Sequence, residues 1–217
     1  MDPVKILALK SSPRKSGNTA ILADLVLRSA RLRGATTESV QLVDLDLAPC
    51  RQCETCHRAG AEGCVLGDDF NPLAAKMREA DILVVAVPIW WSGVHASLKL
   101  VMDRCYSLVS ARWDDFKLAG KGIVLIASQA QRDLDLYARP LAREFKVYEE
   151  ALGFRMIDSI LVSAGEEGDI LGDEEAVRRA ETLGVALVSW NGGRPEQPEG
   201  PTPGEPTASN QRRGDES

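Results

Sequence analysis

Several things are scarce in this chain, and each scarcity removes a class of function. Positive charge is in deficit: 26 Lys and Arg against 32 Asp and Glu leave a net charge of −6. That balance argues against nucleic acid and anionic membranes as partners, because both select a basic face. Long apolar runs are missing too. The longest, Ile82–Trp91, is about half of what a bilayer crossing needs. No Lys/Arg-led apolar segment follows Met1, so no secretory leader is expected and the cytoplasm is the expected compartment. Two nucleotide signatures are absent as well, G-x-x-x-x-G-K-[ST] and G-x-G-x-x-G. Their absence removes the common ATP and dinucleotide readings. No internal repeat is visible.

What is present is the composition of a globular chain, 217 residues with 44% hydrophobic and 27% charged side chains. That length suits one domain with a full core. The segment 191–217 differs in kind, with five Pro and five Gly in 27 residues and few apolar side chains. Such a segment cannot bury enough surface to offset its ordering entropy, so it reads as a disordered tail after a domain spanning 1–190. Within the domain, near-continuous apolar runs predict strands at Val4–Leu9, Glu38–Leu42, Ile82–Val87, Gly122–Ala127 and Met156–Val162. Runs of that kind belong to a parallel sheet covered on both faces. Between them, helical spacing marks Ala20–Arg33, Pro72–Glu79, the stripe from Leu98 to Val109, a helix starting near Pro140, and the stripe from Ala176 to Val188. Five strands alternating with five helices predict a doubly wound α/β fold, a five-stranded parallel sheet with helices on both faces. Ligands of such sheets sit beyond the carboxyl ends of the strands.

The first strand runs into "LKSSPRKSGNTAIL", residues 9–22. Small hydroxyl residues, one glycine and two cations lead there into a helix N-terminus, which attracts phosphate through free N–H groups and the helix dipole. The plainer reading is a polar turn in which Ser16 or Asn18 caps the helix. A phosphate loop without ATP or dinucleotide signatures points to a mononucleotide, with FMN in a flavodoxin-like sheet as the leading case. The third strand runs into "VAVPIWWSGVHASLKLVMDR", residues 85–104. In the flavodoxin-like order this strand lies beside the first, so its loop should reach the same crevice. Pro88 is expected to fix the strand's exit. Pro88, Ile89, Trp90, Trp91, Ser92 and Gly93 could offer a flavin ring flat apolar contact and backbone donors, or the tryptophans could fill core or interface. His95 reads as a helix-start or rim residue, since hydride transfer to a flavin needs no protein acid or base. Cys105 falls on an apolar helical stripe and reads as core.

Four of the five cysteines lie in "CRQCETCHRAGAEGC", spaced C-x2-C-x2-C-x7-C, inside a cysteine-rich insert at 48–70. In a reducing compartment such a cluster is metal-binding or catalytic more often than a disulfide framework. Cys50, Cys53 and Cys56 at that spacing can present three thiolates to one compact cube, with Cys64 returning as the fourth, as in ferredoxin-type runs. Structural zinc more often takes two separated C-x2-C knuckles. The spacing therefore favours a 4Fe-4S cluster, with metal-free thiols and zinc as the other readings. His57, beside Arg58, is expected to be exposed rather than a ligand.

Taken together, "SSPRKSGNT", "CRQCETC…GC…DDF" and "PIWWSGVHASLK…DR" resemble the NAD(P)H-dependent FMN reductase superfamily, and within it the iron–sulfur flavoproteins. The resemblance covers about residues 4–190. It implies a flavodoxin-like fold, FMN as cofactor, and a homodimer or homotetramer. Carried over by motif, it implies that Ser11, Arg14, Ser16, Asn18 and Thr19 hold the FMN phosphate. It also implies that Pro88 to Gly93 frame the isoalloxazine, while Ser128 after the fourth strand matches by position. Trp91 stands where Gly or Phe is more usual. The function expected is an oxidoreductase that takes a hydride from NAD(P)H. It would pass electrons, through the cluster or directly, to a quinone, a flavin or a redox protein. A cluster-free flavin or quinone reductase, and a non-catalytic redox sensor or electron carrier, remain the alternatives.

Overall fold

The structure, a computed structural model, describes residues 2–112 and 115–190. The segment 191–217, expected from its composition to be a tail, lies outside the described residues. In chain order the elements are β1 (Lys5–Lys10), α1 (Asn18–Leu32), β2 (Thr36–Gln41), α2 (Phe70–Glu79), β3 (Ile82–Trp90) and β4 (Gly93–Val94). They continue with α3 (Ala96–Arg104), β5 (Gly122–Gln129), α4 (Ala138–Leu152), β6 (Arg155–Ser163) and α5 (Glu174–Leu187). Five strands pair in the order β2-β1-β3-β5-β6, and every pairing along that path is parallel. This is the flavodoxin-like order, and the expected doubly wound sheet is the one observed.

Side-chain alternation on β1 and β3 explains why the sheet needs cover on both sides. Leu7, Leu9, Leu83, Val85 and Val87 enter one core with residues of α2, α3 and α4. Ile6, Ala8, Ile82, Val84 and Ala86 enter the other with α1 and α5. The apolar runs are continuous because neither face of these strands sees water. Gly184 sets how closely α5 approaches α1. A Cβ there would stand 2.3 Å from the Val26 carbonyl oxygen and 2.8 Å from Ser29 Cβ, so any side chain would push the helices apart.

Three local expectations are corrected. Pro88 does not end its strand: β3 runs on to Trp90, with Pro88 opposite Ser128 on β5. Its last residues fold back onto β4 through Ile89–Val94 and Trp90–Gly93 pairs. The stripe from Leu98 to Val109 is not one helix, because α3 ends at Arg104 and a tighter 3-10 turn carries Cys105–Leu108. His57 is not exposed. Its side chain is 9% accessible, its ring lies 4.4 Å from the Tyr106 ring, and its Nε2 is 3.1 Å from the Tyr106 carbonyl oxygen. A 3-10 turn at Thr55–His57 packs the imidazole against the residues after α3, with Glu54 Oε2 3.4 Å from its Nδ1.

Candidate functional site

Two concavities concentrate the polar chemistry. The first is a cleft of about 240 Å³ at the carboxyl ends of the parallel strands. Its walls are residues 12–14 and 17–19 after β1, Pro88–Trp90 on β3, Ser128–Ala130 after β5, and Ala164 and Gly165 after β6. In a chain of net charge −6, this lining contains one cation, Arg14, and no carboxylate. The N-terminus of α1 opens into it. Gly17 is the N-cap, no side chain caps the helix, and no acidic residue lies in its first turn. By contrast, Asp173 caps α5 by accepting from the Ala176 N–H. The first turn of α1 therefore keeps N–H donors and a partial positive charge for something outside the helix.

The loop into α1 is held from several sides. The Ser11 backbone N–H donates to the Ala86 carbonyl at 2.9 Å, and the Ser11 hydroxyl donates to the same oxygen at 3.1 Å. Arg14 N–H donates to Ser12 Oγ at 3.1 Å. Gly17 sits close under Ser12: a Cβ there would lie 2.7 Å from Ser12 Oγ and 3.1 Å from the Arg14 carbonyl oxygen, so the Ser12 side chain would have to move. Asn18 is buried and occupied at both ends: its Nδ2 donates to the Glu166 carbonyl at 2.8 Å, and its Oδ1 accepts from Ile170 N–H at 3.2 Å. It ties the loop after β1 to the loop after β6. Arg14 Nη1 reinforces that link to the Gly165 carbonyl at 3.3 Å.

Of the residues singled out from the sequence, Arg14, Asn18, Thr19, Pro88, Ile89, Trp90 and Ser128 line this cleft. Ser11, Ser16, Trp91, Ser92 and Gly93 do not. Ser11 is fully buried and staples β1 to β3. Trp91 and Ser92, at φ of 50° and 66°, form the two-residue tip between β3 and β4, where such hairpins need positive φ. Trp91 is 100% exposed. Ala164 and Gly165 reach the cleft only through the crossover after β6. Their one sequence signal is that they follow the last strand.

His95 caps α3, with its Nδ1 accepting from Ser97 N–H at 3.3 Å. Burial lowers its pKa below the usual imidazole value, which suits an acceptor. The ring stands edge-on to Trp90 at 5.2 Å, and the Ser97 hydroxyl donates to the Ser11 carbonyl at 3.2 Å. The amino end of α3 thus belongs to the cleft's rim.

The carboxyl end of α3 belongs to the second concavity. Nine residues at the helical rise make α3 about 13 Å long, and its last residue, Arg104, lines a small pocket of about 20 Å³. Cys50, Cys53, Cys56 and Cys64 line the same pocket, and all are free. Between these cysteines, Gln52 and Glu54 take positive φ, 50° and 56°. Non-glycine residues adopt that conformation only where surroundings enforce it. Among the described residues, no three His, Cys, Asp or Glu side chains converge tightly enough to hold a single ion. The four cysteines are instead distributed around the small pocket, Cys50 and Cys53 exposed and Cys56 and Cys64 half-buried. Hydrogen bonds from Thr55 lower the Cys53 pKa. Burial, and then the nearby Cys64, raise that of Cys56. Cys105 is apart from this group, buried in the core with its thiol pushed up to about 12 by burial.

A family model for NADPH-dependent FMN reductases matches residues 4–167, the stretch that builds the sheet, the cleft and the cysteine pocket. The chain belongs to that family. Among curated relatives, it is similar to an iron-sulfur flavoprotein of Methanocaldococcus jannaschii, 37% identical over 46% of this chain and 51% of that one. A second, an iron-sulfur flavoprotein of Archaeoglobus fulgidus, is 28% identical over 77% of this chain and 80% of its own. The match thus spans about half the length of the first relative and most of the second. Among solved structures, an NAD(P)H:quinone oxidoreductase from Methanothermobacter marburgensis superposes with a TM-score of 0.65. It is 17% identical and covers 85% of this chain and 99% of its own, and that likeness bears on the fold. Membership of the FMN reductase family accords with an anion-receptive cleft in a flavodoxin-like sheet. No helix among the described residues is long and apolar enough to cross a membrane.

Proposed function

We propose that this FMN reductase family member is an NAD(P)H-dependent oxidoreductase that binds FMN in the cleft and a 4Fe-4S cluster in the cysteine pocket. The observation that carries the reading is the cleft itself, with its uncapped helix N-terminus, its single cation and its lack of any carboxylate. A phosphate fits that donor set. Arg14, Thr19 and the first-turn N–H groups of α1 would hold it, with charge-assisted bonds of the stronger kind. Pro88, Ile89 and Trp90 on one side and Ser128 on the other would bound the ring. When bound, FMN supplies hydride acceptance and electron release in one or two steps. The chain contributes placement and shielding, and no acid or base is assigned. Asn18, spent on two backbone partners, would shape the cleft rather than contact phosphate.

The cysteine pocket fits a cluster by its donor set. Four cysteines, from a C-x2-C-x2-C run and the loop that returns at Cys64, line one pocket, and a cage takes its ligands from around it rather than from one point. When bound, a cluster carries single electrons. The names of the M. jannaschii and A. fulgidus relatives support this assignment. The remainder of the proposal is NAD(P)H as donor, a quinone, flavin or redox protein as acceptor, a homodimer or homotetramer, and a cytoplasmic location. The test is to denature the purified protein and identify the released flavin, then follow NAD(P)H oxidation with a quinone or ferredoxin-type acceptor. FMN with acceptor-dependent turnover is expected; FAD, or no flavin after reconstitution, would end the reading.

A further inference from the structure

Among the described residues, Arg104 is the one charged side chain that is essentially sealed from water, at 1% exposure. Two of its three nitrogens are accounted for. Nη1 donates to Asp68 Oδ2 at 2.7 Å and to the Ala48 carbonyl at 2.8 Å, and Nη2 donates to Asp68 Oδ1 at 2.9 Å. The Phe70 ring covers one face of the guanidinium at 4.6 Å. Asp68 is itself fixed, accepting from the Ala48 and Phe70 N–H groups. The third nitrogen is different. Among the described residues, Arg104 Nε is the one buried side-chain polar atom without a hydrogen-bond partner.

A buried, charged N–H with no acceptor is a costly arrangement that native structures rarely keep without a reason. The reason lies in what adjoins it. Arg104 lines the pocket shared by Cys50, Cys53, Cys56 and Cys64. Cys64 and the Arg104 guanidinium are walls of that one pocket. The pocket's other charged walls are Arg51 and Glu54, and both side chains belong to exposed residues of the cysteine loop. Only Arg104 is locked in place by a bidentate partner.

We propose that Arg104 Nε donates a hydrogen bond to a sulfur of the cluster held by Cys50, Cys53, Cys56 and Cys64, and thereby raises its reduction potential. The inference rests on the cluster reading of the cysteine pocket. One-electron reduction adds one negative charge to the cluster, and a fixed cation with an N–H aimed at sulfur favours that added charge. Asp68, Ala48 and Phe70 hold the guanidinium so that the donor needs no reorganisation when the charge arrives. A merely structural arginine would need only its Nη contacts.

The experiment uses the full-length protein purified anaerobically as wild type, R104K, R104Q and R51K. Iron and sulfide are counted, and the cluster's midpoint potential is followed by EPR. Expected is a lower potential in R104Q and a smaller decrease in R104K, which keeps charge but loses Nε; R51K, which alters an exposed wall of the same pocket, should shift it less than either. A second measurement leaves position 104 intact: pulsed EPR of reduced R51K/R58K protein grown on arginine labelled with 15N at Nε, so that neither arginine of the cysteine loop carries the label. A 15N coupling to the cluster is expected, and it decides the matter even if both Arg104 variants fail to fold. Absence of that coupling in iron-replete protein overturns the inference, whatever the potentials do, and leaves the cluster reading standing. Wild type that contains no iron overturns both.

Discussion

The cleft at the strand ends and the cysteine pocket are about one short helix apart, yet they are built from different parts of the chain's chemistry. The cleft takes its shape from backbone: strand ends, a glycine N-cap, an uncapped helix terminus, and an asparagine whose amide is spent on main-chain groups. The cysteine pocket takes its shape from side chains: four thiols, a sealed Arg104–Asp68 pair and two non-glycine residues at positive φ. The difference teaches where tolerance should lie. A site made by backbone survives most single substitutions with a graded loss of affinity, whereas a site made by ligating and buried charged side chains fails at one residue.

The sharpest way to break this comparison is Cys→Ser at position 50, 53, 56 or 64. Each change should remove most of the protein's iron while leaving FMN stoichiometry near wild type, by metal analysis and flavin release on the same sample. Iron and FMN lost together would mean that the two sites are one structural unit.

Next in size is Asp68→Ala, which leaves the Arg104 charge buried and unpaired and should cost about 3–5 kcal/mol of stability by denaturant unfolding. The same pair has a pH signature. Arg104, foremost, holds the Asp68 carboxyl at about 2, below its value in an unfolded chain, which is near 3.9. The stabilisation is therefore complete above about pH 4 and disappears as pH falls through the folded value. Wild type should lose its advantage over Asp68→Asn across that window, measured by unfolding at pH 5, 4, 3 and 2. A constant difference at all four values would contradict the pairing.

Smaller and graded is the effect expected in the cleft. Arg14→Ala and Thr19→Ala should each weaken FMN binding by about 1.5–3 kcal/mol, roughly tenfold or more, without unfolding the chain. Equilibrium flavin binding by fluorescence reads this, and unchanged affinity in the double variant would favour an ordinary solvated turn. Smallest is Cys105→Ser, which should alter neither iron nor flavin content. In metal-free protein at neutral pH, Cys105 should resist alkylation until denaturation, because burial pushes its thiol up to about 12. Rapid labelling of Cys105 in the native state would contradict its place in the core.

Much of this was legible in the sequence, for physical reasons. Four of the five parallel strands were found within two residues at each end and β3 fell three short at its end; the central ones were legible because burial on both faces writes a continuous apolar run, as in Ile82–Val87. The loop into α1 was legible because a glycine and small hydroxyl residues before a helix leave few other local structures. Cys105 was legible from its helical stripe. Long-range side-chain pairing was not. Nothing near Arg104 in sequence announces Asp68, 36 positions away. The aromatic contact that buries His57 comes from Tyr106, 49 positions away. The extension of β3 past Pro88 was missed because a proline reads as a strand end, although the apolar run itself continues to Trp91. The tip residues Trp91 and Ser92 looked like cleft lining because their neighbours are. Only the hairpin's reversal turns them outward.

The central claim is that one chain holds FMN in a backbone-built cleft and a 4Fe-4S cluster in a side-chain-built pocket. Anaerobic purification followed by flavin, iron, sulfide and zinc analysis of a single sample tests it most directly. The account predicts one FMN per chain together with about four iron and four sulfide, with a brown rather than a purely yellow spectrum. FMN with stoichiometric zinc and no iron, or with no metal at all, would contradict it and leave the cysteines a structural staple or a set of free thiols.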